Sequence, residues 1–293
     1  MRKIVHLSDL HFGRTDERVV ASVVETVNAM RPDLVAVSGD LTQRARASQF
    51  ERAREFLDAL PRPQVVVPGN HDVPLYRFWE RFLAPLSKYR RHISEDLEPF
   101  YEDDEIVVLG LNTARSLTFK DGRVNERQVA RIGERLCPYA EEVTKFLVTH
   151  HPFDLPEGHD AGDLVGRAEH AMAALARCGA DALLAGHLHV SHTGATAERY
   201  KVEGHSALVI QAGTATSTRH RGETNSFNVV RVNHPHLNVE RLSWQPERAA
   251  FVPSSTETFQ HTPRGWSRLT DEAAAGVVFA EGSAGLQPGT LTT

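Results

Sequence analysis

Five short fragments of this 293-residue chain concentrate side chains able to bind metal ions. They are Asp9-Leu10-His11, Gly39-Asp40, Gly69-Asn70-His71-Asp72, His150-His151-Pro152 and Gly186-His187-Leu188-His189. Carboxylate and carboxamide oxygens together with imidazole nitrogens are donors that suit transition metals, and none of the fragments contains a thiol. Taken singly, each is weak. An Asp-x-His arises by chance in a chain with 16 histidines, and one histidine alone reads as a hydrogen-bonded loop or core residue. Gly-Asn-His-Asp is more specific, because unrelated turns seldom place three such side chains together. The weight lies in the set: each fragment follows directly on an apolar run.

Those runs predict the elements that must position the fragments. Ile4 to Leu7, Leu34 to Val37 and Val65 to Val67 read as short buried strands, separated by amphipathic helices over about Glu17 to Met30 and Ser48 to Leu60. This alternation argues for a mostly parallel sheet with covering helices. Phe78 to Phe100 is mixed and charged, and reads as a surface insertion or lid. Ile106 to Leu111 is a further strand, and Asn125 with Gln128 three residues on signals a helix start, running to Leu136. A strand at Lys145 to Thr149, a helix from about Asp163 to Cys178 and a strand at Ala182 to Ala185 follow. After Gly186 the pattern becomes alternating at Val202 to Gln211, Phe227 to Val232 and Leu237 to Trp244, which predicts antiparallel strands of a second sheet. The expected division is a catalytic domain over residues 1–245 and an irregular tail over 246–293, rich in Ser, Thr, Pro and Gly. In open α/β sheets the loops beyond the carboxyl ends of the strands converge on a ligand, which is where all five fragments stand.

In that order the fragments resemble the motifs D-x-H, G-D, G-N-H-(D/E), H-x-P and G-H-x-H of the calcineurin-like metallophosphoesterase superfamily. The match spans residues 9 to 189. The His-Leu-Ser-Asp-Leu-His opening and the His-His-Pro-Phe turn are similar to the bacterial branch that holds class III cyclic-nucleotide phosphodiesterases and glycerophosphodiesterases. The resemblance implies a four-layer α/β/β/α sandwich of two mixed sheets flanked by helices. It also implies two metal ions. One would be held by Asp9, His11, Asp40 and His189, the other by Asp40, Asn70, His150 and His187, with Asp40 bridging and a hydroxide between the metals attacking phosphorus. His71 would face the phosphate as a donor to it or to the leaving oxygen, and Asp72 would orient the His71 imidazole. His151 would support the centre through a hydrogen bond rather than bind metal. The mixed oxygen and nitrogen set disfavours calcium or magnesium alone and leaves manganese, iron, cobalt or zinc.

Bulk properties narrow the class further. The net charge is −5 and there is no long basic run, which argues against a nucleic-acid partner; Arg44, Arg46, Arg52 and Arg54 read as a solvated face. No apolar stretch approaches a membrane span, and the two cysteines, Cys137 and Cys178, read as separate buried residues of a protein kept in a reducing cytoplasm. The expectation is a hydrolase acting on a small phosphodiester, such as a cyclic nucleotide or a glycerophosphodiester, with a homo-oligomer left open. The alternatives are a repair-type nuclease, a phosphatase or lipid-precursor pyrophosphatase of the same superfamily, and a scaffold that has lost catalysis. A scaffold of that kind typically lacks ligands, whereas here all seven are present. Arg14, and the Arg219-His220-Arg221 run after Gly213-Thr214-Ala215-Thr216, are further residues able to supply charge to a phosphate.

Overall fold

The computed structural model describes residues 1–75, 78–116, 121–155, 161–196, 199–200, 206–219, 222–279 and 290–292. In chain order the first half forms β1 (Arg2–Leu7), α1 (Glu17–Met30), β2 (Leu34–Ser38), α2 (Ala47–Asp58), β3 (Gln64–Val67), α3 (Phe78–Leu83), α4 (Ser87–His92), β4 (Phe100–Glu102), β5 (Ile106–Gly110) and α5 (Glu126–Leu136). The second half forms β6 (Thr144–Val148), α6 (Ala168–Arg177), β7 (Ala182–Ala185), β8 (His192–Ala195), β9 (Leu208–Gln211), β10 (Ser226–Asn233), β11 (His236–Gln245), β12 (Ala250–Thr262), β13 (Gly265–Arg268), α7 (Asp271–Ala274) and β14 (Thr290–Thr292).

Side-chain alternation along the strands builds the layers. In β1, Val5 and Leu7 pack with Val19, Val23 and Val27 of α1 and with Phe50, Phe56 and Leu57 of α2. Ile4, on the opposite face, joins Val108, Phe146, Leu184 and Ile210 of the other sheet. On the far side of that sheet, Leu109, Leu147 and Leu183 pack against Ile132 and Leu136 of α5 and Met172 and Leu175 of α6. The result is helices, sheet, sheet, helices. Strands apolar on both faces are the mark of sheets covered on both sides. One sheet runs β13-β12-β11-β10-β1-β2-β3 and the other β14-β4-β5-β6-β7-β9-β8. Each is mixed: β1, β2 and β3 are parallel, as are β5, β6, β7 and β9, while β4, β8 and β10 to β13 are antiparallel to their neighbours. The expected four-layer sandwich is therefore the observed one.

Four local expectations are corrected. The segments after Gly186 do not make a sheet of their own. β9 lies parallel to β7, and β10 pairs with β1. Alternation reports that a strand is partly buried but not which neighbour buries it, and β10, buried on both faces over most of its length, fits beside β1. Residues 202–205 of the segment expected from Val202 lie outside the described residues. The stretch after Pro246 is not irregular at first: β12 pairs with β11 along almost its full length, and β13 closes on β12. Its polar run Ser254 to Thr256 sits in the strand middle with exposed side chains, which hides the strand from a hydrophobic reading. Helix α6 starts at Ala168 rather than Asp163, because Arg167 adopts a left-handed conformation at φ 64°. Finally, Cys137 and Cys178 are joined in a disulfide between the C-terminal caps of α5 and α6. The expected pair of separate thiols, and with it the argument for a reducing compartment, does not hold; the packing of α5 on α6 that brings the sulfurs together is a tertiary fact.

The helix start expected at Asn125 stands. Asn125 Oδ1 accepts the Gln128 backbone N–H at 2.9 Å and Gln128 Oε1 accepts the Asn125 N–H at 3.0 Å, the reciprocal cap expected there. Phe78 to Phe100 holds the two short helices α3 and α4 between strands of different sheets. Exposed Arg52 pairs with Glu17, and half-buried Arg54 with Asp58. No helix among the described residues is long and apolar enough to cross a membrane.

Candidate metal centre

The parallel strands β1, β2, β3, β6 and β7 end at the same edge of the sandwich, and each hands over to one of the five fragments. The loops touch through their backbones: Asp9 N–H donates to Gly39 O, His11 N–H to Asp40 O, and Gly186 N–H to His150 O. Five of the seven expected ligands have positive φ: Asp9 (52°), His11 (51°), Asp40 (53°), His187 (77°) and His189 (60°). Non-glycine residues rarely adopt this conformation, and it persists where surrounding structure imposes it, commonly at functional sites. Glycines let the loops approach. A Cβ on Gly69 would strike Asp40, and one on Gly186 would strike Ser8 Oγ and Asp9 Oδ2.

Two groups of donor atoms result, and Asp40 faces both. In the first, His189 Nε2 lies 3.3 Å and His11 Nε2 3.5 Å from Asp9 Oδ1, with the two nitrogens 3.4 Å apart. Asp40 Oδ2 lies 3.7 Å from His11 Nε2. In the second, His150 Nε2 lies 3.0 Å from Asn70 Oδ1, 3.3 Å from His187 Nδ1 and 3.4 Å from Asp40 Oδ1. The two oxygens of one buried carboxylate are thus divided between two clusters. All seven expected ligands come together, and none is displaced.

Neighbours fix which imidazole nitrogens are free to bind. His150 Nδ1 lies 2.8 Å from the Ser38 carbonyl; that oxygen can only accept, so Nδ1 carries a proton and Nε2 is the nitrogen turned toward Asp40 and Asn70. His189 Nδ1 meets Thr214 Oγ1 at 2.9 Å, again leaving Nε2 for the centre. Asp9 Oδ2 accepts from Ser8 Oγ at 2.7 Å and from the His187 backbone N–H at 3.0 Å. Its other oxygen, Oδ1, is shielded from solvent and has no hydrogen-bond donor among the described residues. An orphaned buried carboxylate oxygen facing two imidazole nitrogens is the arrangement that a cation satisfies. Asp9, His11 and His189 form one metal-competent group, and Asp9, Asp40 and His150 another.

Charge follows this geometry. Burial would raise the pKa of Asp9, but facing His189 and His11 outweigh it and hold the carboxyl below its usual range. Burial is likewise opposed at Asp40, chiefly by His150 and His71, and Asp40 stays well below the ordinary carboxylate value. Burial works against a proton on His150, yet Asp40 outweighs it and lifts that pKa to about 9, while desolvation and then the charge of His150 push half-buried His187 down to about 3. Both carboxylates are therefore anionic, as ligands must be.

His71 stands at the rim, its ring edge-on to His11 at 4.9 Å between centroids. Asp72 does not orient it, contrary to expectation. The Asp72 carboxylate instead accepts the backbone N–H groups of Gly69 (2.9 Å), Leu41 (3.1 Å) and Thr42 (2.9 Å), bracing the loops after β2 and β3. Burial, and then the charge of Asp40, raise the Asp72 pKa to about 6. The Gln43 carbonyl, 3.0 Å from His71 Nδ1, does the orienting. His151 is buried with Nδ1 2.8 Å from Thr113 Oγ1, and its ring packs 4.7 Å from that of His187. Ser8, Ser38, Gln43, Thr113 and Thr214 were not readable as site residues; only Ser8 and Ser38 adjoin motif residues, and a lone hydroxyl carries no signal. Arg219 reaches back to His71, with Nη1 3.3 Å from Nε2. His220 and Arg221 lie outside the described residues.

Comparison with known proteins agrees. The family model described as calcineurin-like phosphoesterase matches residues 2–191. The chain belongs to the calcineurin-like phosphoesterase family. Within it, the chain is 28% identical over 163 residues to the glycerophosphodiester phosphodiesterase GpdQ of Enterobacter lignolyticus (strain SCF1), a match covering 52% of this chain and 58% of that protein. It is 26% identical over 168 residues to the 3',5'-cyclic adenosine monophosphate phosphodiesterase CpdA of Escherichia coli (strain K12), covering 53% of this chain and 57% of the relative. The match thus spans less than two thirds of either relative. Among solved structures, the purple acid phosphatase PPD1 from yellow lupin superposes with a TM-score of 0.66 at 12% identity, over 87% of this chain and 53% of that one. A dimetal phosphatase from Danio rerio gives 0.61 at 14% identity, over 86% and 98%. At such identities these two likenesses speak for the shared calcineurin-like fold alone.

Proposed function

We propose that this protein is a metal-dependent hydrolase of small phosphodiesters with a dinuclear centre. The observation that carries the reading is the division of the Asp40 carboxylate, one oxygen toward His11 and the other toward His150. Asp9, His11, Asp40 and His189 would hold one ion, and Asp40, Asn70, His150 and His187 the other. Two cations close together repel, and a shared anionic ligand reduces that repulsion. Bound there, the ions would lower the pKa of a water and stabilise charge developing on the phosphoryl oxygens. The absence of thiolate and the four imidazoles fit manganese, iron, cobalt or zinc.

The chain's own residues do the rest. Ser38 and Thr214 hold His150 and His189 with Nε2 turned inward, so each imidazole arrives oriented. The Gln43 carbonyl fixes the His71 proton on Nδ1, which leaves Nε2 as the atom that holds or passes a proton at the leaving oxygen. A diester substrate is favoured by the similarity to GpdQ and CpdA, both named as phosphodiesterases.

A substrate panel on metal-reconstituted protein tests this. Cyclic nucleotides, glycerophosphodiesters, a chromogenic phosphodiester, its monoester and single-stranded DNA are compared. Diester turnover well above that of the monoester is expected, lost on chelation. Monoester preference would point to a phosphatase, and DNA degradation to a nuclease.

A further inference from the structure

The loop that follows β9 is tied to the loop that follows β1 at the mouth of the site. Ala215 N–H donates to Ser8 O at 3.0 Å, Thr216 Oγ1 to Leu10 O at 2.7 Å, and Thr218 N–H to Arg14 O at 2.8 Å. Asn225 Nδ2 holds the Ser217 carbonyl at 2.8 Å, and Ser217 Oγ in turn accepts the Arg219 backbone N–H at 3.1 Å. The backbone that carries Arg219 is therefore braced against the strand end that supplies Asp9 and His11. Its side chain turns inward to His71, Nη1 lying 3.3 Å from Nε2.

That contact uses one of five guanidinium donors. With Nδ1 committed to the Gln43 carbonyl, Nε2 of neutral His71 accepts from Arg219. Among the described residues, no carboxylate pairs with this guanidinium. An arginine anchored beside an anionic-substrate site, without an acidic partner there, has its remaining donors available for phosphate oxygens, which it matches in a planar fork.

We propose that Arg219 is a substrate-binding residue: it donates to a non-bridging oxygen of the bound phosphate and, in turning to it, frees His71 Nε2 to face the leaving oxygen. This rests on the hydrolase reading above. The chemistry it recognises is the phosphate oxyanion rather than the alcohol on either side, so its effect extends to inorganic phosphate.

The test uses manganese-reconstituted full-length protein, as wild type and as Arg219→Ala and Arg219→Lys. Inorganic phosphate affinity is measured by calorimetry, KM and kcat on a chromogenic phosphodiester, and metal content by elemental analysis. Arg219→Ala is expected to weaken phosphate binding by on the order of ten- to a hundred-fold, with a larger change in KM than in kcat and unchanged metal content. Arg219→Lys should recover part of the phosphate affinity. Phosphate affinity and KM within about twofold of wild type would overturn the role of Arg219 while leaving the hydrolase reading intact. Loss of metal in Arg219→Ala would overturn it too, by making the residue structural. A wild-type protein that binds metal but neither phosphate nor diester would overturn the hydrolase reading, and this proposal with it.

Discussion

The carboxylate of Asp72 turns away from the adjacent His71 ring and accepts the Thr42 backbone N–H at 2.9 Å and the Thr42 hydroxyl at 3.0 Å. With the Gly69 and Leu41 N–H groups on the same carboxylate, this one side chain clamps the loop bearing Asp40 to the loop bearing Asn70.

Asp72→Ala should therefore act on stability before chemistry. It leaves three backbone N–H groups without their acceptor, at a cost of about 3 kcal/mol or more given roughly 1–3 kcal/mol for each unsatisfied buried group. Urea denaturation should show a lower midpoint for Asp72→Ala than for Asp72→Asn, which keeps one acceptor oxygen. Equal midpoints for wild type and Asp72→Ala would remove the clamp.

Gly186→Ala should empty the site on Asp9. The added methyl meets Ser8 Oγ and Asp9 Oδ2, the atoms that set the carboxylate's angle. Bound metal should fall below two equivalents by elemental analysis while far-ultraviolet circular dichroism stays near wild type. Full metal occupancy would show that the loops yield more readily than their packing implies.

His71→Ala removes no expected ligand. Metal content should persist, and turnover of a diester with a poor leaving group should fall on the order of 10²–10⁴-fold. An unchanged rate would take the proton-transfer role from His71.

A prediction about pH concerns Asp181, far from the centre at the start of β7. Burial pushes its pKa up to about 6, only partly offset by hydrogen bonds from the Lys145 backbone and the Trp266 indole. The folded protein therefore keeps a proton that the unfolded chain gives up near pH 4. This site's contribution falls as pH rises from about 4 to about 6, by up to about 3 kcal/mol, and is level above that. Asp181→Asn cannot titrate there. Urea midpoints measured against pH should show wild type losing ground to Asp181→Asn across that interval, and parallel curves would contradict the shift.

Much of the site was legible because the chemistry is written in contiguous fragments at strand ends. Asp9 and His11, or His187 and His189, are separated by one residue, and the short apolar runs before them mark where the chain emerges from the sheet. The strained backbone at these positions leaves no such trace, nor do the hydroxyls of Thr113 and Thr214, which arrive from other loops. Asp72 shows the limit of adjacency: lying next to His71 in the chain does not make it the partner of the ring, because the three N–H groups beneath it compete for the same carboxylate. In the fold, β1 to β3 were readable from continuous apolar runs, whereas β12 was hidden by its exposed polar centre. The Cys137–Cys178 bridge depended on how α5 meets α6, which no local pattern encodes.

The central claim is that Asp40 joins two cations. Anomalous diffraction from manganese-soaked crystals of wild type and Asp40→Ala tests it most directly. The wild type should show two peaks, one beside each Asp40 oxygen, with the first also near Asp9, His11 and His189 and the second near Asn70, His150 and His187; Asp40→Ala should lose both. A single peak in the wild type, or two peaks that survive removal of the Asp40 carboxylate, would contradict it.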